Sequence, residues 1–499
     1  MRKSNEPLQK GVSRLHPVSI IYFLVKGTKG LLGYLPLIPV AVLAAPKLMG
    51  ENVSRVGVTA VLVGCILIAL ILVGWARWRS FTYRIDGSAI YIEHGVWVKN
   101  KIWITKERIQ SVDTKVSFYD RIFSLVRLQL ETAANQKPEA VLSSITVEEA
   151  GRIRAVLGFA GASAVPVDNN DGEALASAAS TQSQTPGEAV RKLSFRELLI
   201  NSTSSDKFGI VLILSIGGIG KLWDNWLKDT NVWDFIRQLL GSGWIFWSVG
   251  LLVILSWILA VAVTFLTDYG FQIKLQDGKL IIEKGLLEKK QITLLPDRVQ
   301  AVHLVNHALR RPFGLVSIHI IIAGSKENQE KSTVIFPLIR SEDVAGFLQQ
   351  FIPAFSYEAK WIPLENTAWR SYTVIPALFG MLAAIPLMLW IPGYWAGLVL
   401  FLPLTAGILG QLSFNQVGWS FHDGQLALRY GVFSQHRVLI PKRRIQWYRM
   451  SQSTFQKNRK AATLKIALAS GKEGKTFTLR HAPESQVSRV IHSISYSRQ

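Results

Sequence analysis

The chain has 499 residues, 49% of them hydrophobic and only 18% charged, with a mean hydropathy of +0.24; it is too long for one core and too apolar for a wholly soluble protein. The formal net charge of +22 suits basic loops facing an anionic leaflet, and no nucleic-acid-binding motif accompanies it, so nucleic acid is set aside as a partner. The single cysteine, Cys65, lies in an apolar run, which excludes an intramolecular disulfide and a cysteine metal cluster.

Residues 1–80 open on a basic segment without a cleavable signal pattern (Arg2, Lys3, Lys10, Arg14, Lys26 and Lys29 against Glu6). Two apolar runs follow, at 31–45, broken by Pro36 and Pro39, and at 56–75. Both are read as helices crossing a hydrocarbon core of roughly 30 Å, and their short connection makes them a hairpin. A soluble domain is expected over 81–159, followed by a flexible Ala, Ser, Gly and Asp-rich linker over 160–190. A second hairpin occupies 191–268 (208–222 with 244–266), and a second soluble domain 269–355. A third hairpin occupies 356–414 (372–391 with 395–412, turning at Pro392 and Gly393), and a third soluble domain 415–499.

The connections inside the hairpins hold few basic residues: Lys47 and Arg55, then Lys221, Lys228 and Arg237, then none. Both termini and all three soluble domains are therefore placed on the cytoplasmic side. Trp75, Trp78, Trp223, Trp226, Trp244, Trp390 and Trp395 stand at span ends, as an aromatic belt would. Amphipathic stretches at 15–21, 193–199 and 361–364 precede the hairpins and fit either the membrane interface or core packing.

The three soluble domains repeat one pattern, and a repeat read in this way decides the architecture. Asp-Gly stands at 86–87, 277–278 and 423–424, and a lone glycine follows at Gly95, Gly285 and Gly431. Thirteen residues further on comes Arg-(Ile/Val)-Gln, led by Arg108, Arg298 and Arg444. These six residues are assigned a structural role, as turn formers. Alternating apolar residues around each Asp-Gly predict hairpins. Each copy ends in a helix, signalled at 146–149 by a capping box and expected also over 341–351 and 483–494.

A two-span hairpin followed by Tyr83, Ile85, Gly95, Arg108-Ile109-Gln110, Arg121 and Phe123 resembles the bacterial pleckstrin-homology-like (PH-like) membrane proteins, most closely their large three-domain, YdbT-like members. The second copy matches at Gly285, Pro296, Arg298, Gln300, Arg311 and Phe313-Gly314-Leu315; the third loses that last turn, which reads Arg459-Lys460-Ala461. The resemblance implies an α+β membrane protein with six transmembrane helices in three hairpins, each followed by a PH-like β-barrel or bent sheet with a C-terminal helix. It also implies a bacterial cell membrane, a smaller one-domain PH-like membrane protein as partner, and a loose link to cell-envelope protection.

Apart from Lys221 at the very end of its run, no ionisable residue falls within the six spans, which argues against ion-coupled transport and intramembrane proteolysis. The string 469–476 imitates a phosphate loop but has Ala469 in place of the first glycine and runs into a strand, so it reads as a turn. His303 and His307 have metal-ligand spacing, but in a strand-like context that speaks against a metal site. No catalytic constellation and no cofactor site is read. The candidate contacts for membrane lipid or a partner are basic: Lys99, Lys101, Lys442, Arg443, Arg449, Arg459 and Lys460. The expectation is a non-enzymatic integral membrane protein whose three domains scaffold a partner or bind anionic lipid. The alternative is a lipid or small-molecule transporter, or an export component, using the six-helix region.

Overall fold

The computed structural model describes residues 13–24 except 21, 55–132 except 88, 140–159, 189–226 except 206, 244–322, 333–390 except 358–359, 396–469 and 475–495. The first run of the first hairpin, most of the linker and the turn of the third hairpin lie outside these residues.

Each repeat supplies seven strands, the first of them from the segment ahead of its hairpin. In repeat 1 these are β1 (Ser13–Arg14), β2 (Thr82–Asp86), β3 (Ala89–His94), β4 (Asn100–Thr105), β5 (Ile109–Val116), β6 (Leu125–Thr132) and β7 (Ala140–Thr146). Repeat 2 has β8 (Ala189–Lys192), β9 (Gln272–Gln276), β10 (Lys279–Lys284), β11 (Lys289–Leu294), β12 (Val299–Asn306), β13 (Leu315–Ile322) and β14 (Thr333–Arg340). Repeat 3 has β15 (Ile362–Pro363), β16 (Gly418–His422), β17 (Gln425–Gly431), β18 (Gln435–Pro441), β19 (Ile445–Ser451), β20 (Ala461–Leu468) and β21 (Lys475–Pro483). The described helices used below are α1 (Arg55–Arg79), α2 (Val147–Val156), α3 (Phe195–Thr203), α4 (Lys207–Trp226), α5 (Trp244–Asp268), α6 (Val344–Phe351), α7 (Ile375–Trp390), α8 (Phe401–Gln416) and α9 (Glu484–Ile494). The chain is thus α+β.

The chain divides into two compact units. The first holds the described residues up to Phe159 together with Glu288–Thr293; the second holds 189–287 and 294–495. In the first unit an antiparallel sheet runs β1–β2–β3–β4, and a second runs β7–β6–β5–β11. Tyr83, Ile90, Ile92, Ile104, Leu128 and Leu142 are buried, and α2 adds Ile153. Thr146 caps α2 by accepting a bond from the Glu149 amide at 3.3 Å, as its sequence signalled.

In the second unit β14–β13–β12–β18–β17–β16–β15 is one continuous sheet, and β19–β20–β21 is another. One core lies between them: Trp419, Leu426 and Val438 meet Leu464, Ile466 and Phe477, covered by Val487, Val490 and Ile494 of α9. That core also takes in Ala301 and Ile321 of repeat 2, because β12 pairs directly with β18. Among the described strands no sheet closes on itself. The halves of the repeats join edge to edge with the next repeat, and the result is bent open sheets rather than closed barrels.

The Arg-(Ile/Val)-Gln motif explains the corner between the halves. In each copy its arginine ends a short 3-10 turn, Lys106–Arg108, Pro296–Arg298 or Lys442–Arg444. The register then slips across the glutamine, between Ile109 and Ser111, Val299 and Ala301, and Ile445 and Trp447. A tight turn followed by a bulge redirects the strand out of one sheet and into the next. The Asp-Gly turns differ by one residue. Gln276 pairs with Lys279 and His422 with Gln425, leaving Asp277-Gly278 and Asp423-Gly424 as two-residue turns with positive φ. In repeat 1 Asp86 pairs with Ala89, so Asp86 belongs to the strand and the turn begins at Gly87.

The stretches ahead of the hairpins are core segments in one respect. Each sinks one leucine: Leu15, Leu198 and Leu364 are buried, while Phe195 stays exposed. Two described helices, Val249–Asp268 and Asn366–Met388, are long and apolar enough to cross a membrane. The α4 and α5 helices run antiparallel, joined by a hydroxyl pair at 3.1 Å between Ser256 and Ser215, and Thr264 of α5 donates to Ser205, just ahead of α4, at 3.1 Å. The α8 helix approaches the π-helical turn Arg370–Val374 that leads into α7 so closely that a Cβ on Gly410 would stand 2.0 Å from the Tyr372 carbonyl oxygen.

Candidate functional site

The lone glycine of each repeat opens the turn between its third and fourth strands. Gly95 and Gly431 have φ of +119° and +143°, and a Cβ there would meet the carbonyl oxygen of Val98 at 2.0 Å or of Ser434 at 1.9 Å. Only glycine fits so tight a reversal. Gly285 is also left-handed, at +103°.

Two residues beyond each glycine a large apolar side chain stands in solvent. Trp97 is 96% exposed, Leu287 56% and Phe433 62%. Each tip lies beside the end of the apolar helix that feeds its repeat. The Gly285 amide donates to the Tyr269 carbonyl at 2.8 Å, and the Leu286 amide to the Leu266 carbonyl of α5 at 2.9 Å. In repeat 3 Gln416, the last residue of α8, donates through Nε2 to the Val432 carbonyl at 2.6 Å, while Arg429 Nε donates to the Gln416 carbonyl at 2.9 Å. In repeat 1 the His94 ring stacks on Phe81, two residues past the end of α1, at 6.0 Å. An exposed apolar residue at the end of an apolar helix has the placement of an interfacial anchor.

The basic candidates fall on four different elements. Lys99 and Lys101 flank the Trp97 tip, with Lys99 3.3 Å from Glu93. Lys442 and Arg443 line a shallow cleft of about 540 Å³ with Pro353, Ser356 and Asp423, but Lys442 Nζ also donates to the Ser495 carbonyl at 2.8 Å, at the end of α9. Arg449 lies over the Trp447 ring at 5.6 Å on β19. Arg459 and Lys460 close the turn that the sequence marks as altered. There the structure keeps what the sequence drops: Ser124, Gly314 and Lys460, at equivalent places, have φ of 54°, 64° and 49°. Lys460 therefore occupies a left-handed position that a glycine fills in repeat 2, and its carbonyl accepts from the Glu484 amide at 2.9 Å. Arg444 bonds the Asp297 carbonyl of the preceding repeat.

The sequence reading missed the apolar tips, although a residue of that kind at a fixed place after the lone glycine was visible in all three copies. It also missed that His303 meets His319 within repeat 2 and His436 across the junction with repeat 3, with Nε2 of His303 3.1 Å from Nδ1 of His436. Burial holds both His303 and His436 below the ordinary imidazole range, with the other histidines adding to the effect. Among the described residues no group of three or more His, Cys, Asp or Glu is arranged to hold a metal ion.

Three sevenfold sets of strands, each closed by a helix and each fed by at least one apolar helix, define a repeated PH-like membrane architecture. The family model of the Bacterial PH domain matches residues 31–158, 214–353 and 377–498, and the chain belongs to that family. It is similar to the UPF0699 transmembrane protein YdbT of Bacillus subtilis (strain 168), with 27% identity over 498 residues, covering 97% of this chain and 98% of that relative. No solved structure matches it.

Proposed function

We propose that this chain is a non-enzymatic, multi-pass protein of a bacterial cell membrane whose three PH-like repeats hold the cytoplasmic membrane surface through apolar tips and basic flanks. In this reading the six apolar runs form three hairpins, both termini are cytoplasmic, and the surface left free by lipid scaffolds a partner membrane protein. The carrying observation is the repeated tip: Trp97, Leu287 and Phe433 are exposed at one place in the repeat, and each tip abuts the end of an apolar helix. An amphipathic tip of this kind buries its ring or leucine below the headgroups while nearby lysines face anionic lipid, each worth about 1 kcal/mol near the surface. Lys99 and Lys101 stand beside Trp97 in this way.

The test is hydrogen exchange on the full chain in nanodiscs of anionic or purely zwitterionic lipid. The three tips, 95–99, 285–288 and 431–434, are expected to exchange more slowly in the anionic bilayer, with little change at the Asp277 and Asp423 turns. Equal exchange in both bilayers, at the rate of the free turns, overturns the lipid-holding role.

A further inference from the structure

The chain makes the same strand junction twice within itself. In the first unit β5 lies next to β11, and in the second β12 lies next to β18. Each junction joins the fifth strand of one repeat to the fourth strand of the next. The β12–β18 register is antiparallel, with Val302 opposite Leu439, His303 opposite Val438 and Leu304 opposite Arg437. Seven of the eight β12 residues are buried there.

The two equivalent strands at the ends of the series have no such partner among the described residues. The β4 strand is the edge of β1–β2–β3–β4, and β19 is the edge of β19–β20–β21. Their exposure is the reverse of β12. Five of the seven β19 residues are exposed, with Trp447 at 41% and Tyr448 at 40%, and on β4 Trp103 is 51% exposed. An exposed, aromatic strand edge is a template for another strand.

We infer that β19 of one copy pairs with β4 of a second copy, repeating between chains the junction that the chain makes internally. The occupant is a second copy because this chain carries both halves of the junction, one at each end of the series. The repeat spacing fixes the register. Arg298, Arg444 and Arg108 are equivalent, so Val302 corresponds to Tyr448 and Leu439 to Trp103. Tyr448 then lies opposite Trp103, Arg449 opposite Ile102, and Met450 opposite Lys101. An aromatic pair lies directly opposite at the centre, the kind of cross-strand pair that stabilises a sheet. Arg449 and Lys101 fall on opposite faces of the ribbon, so the basic edges do not confront one another. The contact is heterologous and head to tail, so it closes into a ring or extends as a chain of copies.

The experiment needs no lipid and stands apart from the lipid reading. Two differently tagged full-length chains, both Cys65→Ser, one with Trp103→Cys and the other with Tyr448→Cys, are co-expressed, purified in mild detergent and oxidised. A disulfide between the two tags is expected, and Arg449→Cys with Trp103→Cys, on opposite faces, is expected to give none. Light scattering on the unmodified chain is expected to give a multiple of 55.7 kDa, and Tyr448→Lys, at an exposed site, a single-chain mass. A single-chain mass with no mixed-tag disulfide overturns the proposal. So does a bond formed only within one chain when both cysteines are present, or a smaller co-purifying protein that shields residue 448 from thiol labelling.

Discussion

Nε2 of His303 lies 3.1 Å from Nδ1 of His436, and this contact ties β12 of repeat 2 to β18 of repeat 3. His319, His307 and Lys475 add positive potential around His303, so its neutral form is favoured first by burial and then by these neighbours. A buried imidazole of this kind binds a proton more weakly folded than unfolded. Its contribution is complete above the unfolded value of roughly 6.5 and is lost as the pH falls below it toward the folded value. Stability of this junction is therefore expected to fall as the pH drops below about 6.5, by up to ~1.4 kcal/mol per pH unit for each such group. Denaturant unfolding in detergent at a series of pH values checks this, and His303→Gln is expected to flatten the slope whatever it does to the level. A slope unchanged by the substitution places the proton uptake elsewhere.

Arg310 carries the packing of α3 on repeat 2. Its Nε donates to Ser204 Oγ at 2.8 Å, its Nη1 to Ser317 Oγ at 2.8 Å and the Pro337 carbonyl at 3.2 Å, and its Nη2 to the carbonyl and Oδ1 of Asn201, both at 3.1 Å. Arg310→Leu leaves these buried acceptors unmet, and a loss of about 3–5 kcal/mol is expected. Thermal unfolding in detergent measures it. A change below about 1 kcal/mol would mean that water replaces the guanidinium at low cost.

Lys460 holds φ of 49° in a turn where repeat 2 has Gly314 at 64°. Lys460→Gly is expected to stabilise the chain by up to about 1 kcal/mol, the relief of the left-handed backbone exceeding the entropy glycine gains unfolded. The same substitution separates the two roles of the residue. If the side chain also holds lipid, affinity for anionic vesicles falls while the unfolding temperature rises.

Gly410→Ala, in α8, would push a methyl to 2.0 Å from the Tyr372 carbonyl oxygen, which is backbone and cannot swing away. The contact between α8 and the turn ahead of α7 must open, at a cost on the order of 1–3 kcal/mol. Gly209→Ala, where a Cβ meets nothing within 4 Å, is the matched control and is expected to be nearly silent. Thermal unfolding of both variants tests the packing directly.

Repetition made much of this architecture legible. Gly95, Gly285 and Gly431 signalled a reversal, and Arg108, Arg298 and Arg444 a corner, because tight turns and bulges are local devices written in local residues. What the sequence hid was partner choice. Nothing in the run of β11 or β18 says that it pairs with the preceding repeat rather than with its own second half, since an alternating strand fits either edge. Charge also drew the eye to Lys442, whose ammonium caps a helix end, and away from Trp97, whose position could be judged only once the tip was seen beside α1.

The central claim is that the hairpin tips touch lipid, and depth-dependent quenching measures that most directly. In a Cys65→Ser background, a single cysteine replaces Trp97, Leu287 or Phe433 and carries an environment-sensitive fluorophore, with the full chain in bilayers holding doxyl lipids. All three labels are expected to be quenched by shallow doxyl groups, and a label at Asp277 to remain water-exposed. If positions 97, 287 and 433 behave like position 277, the repeats do not hold the membrane surface through their tips, and the account is wrong at its centre.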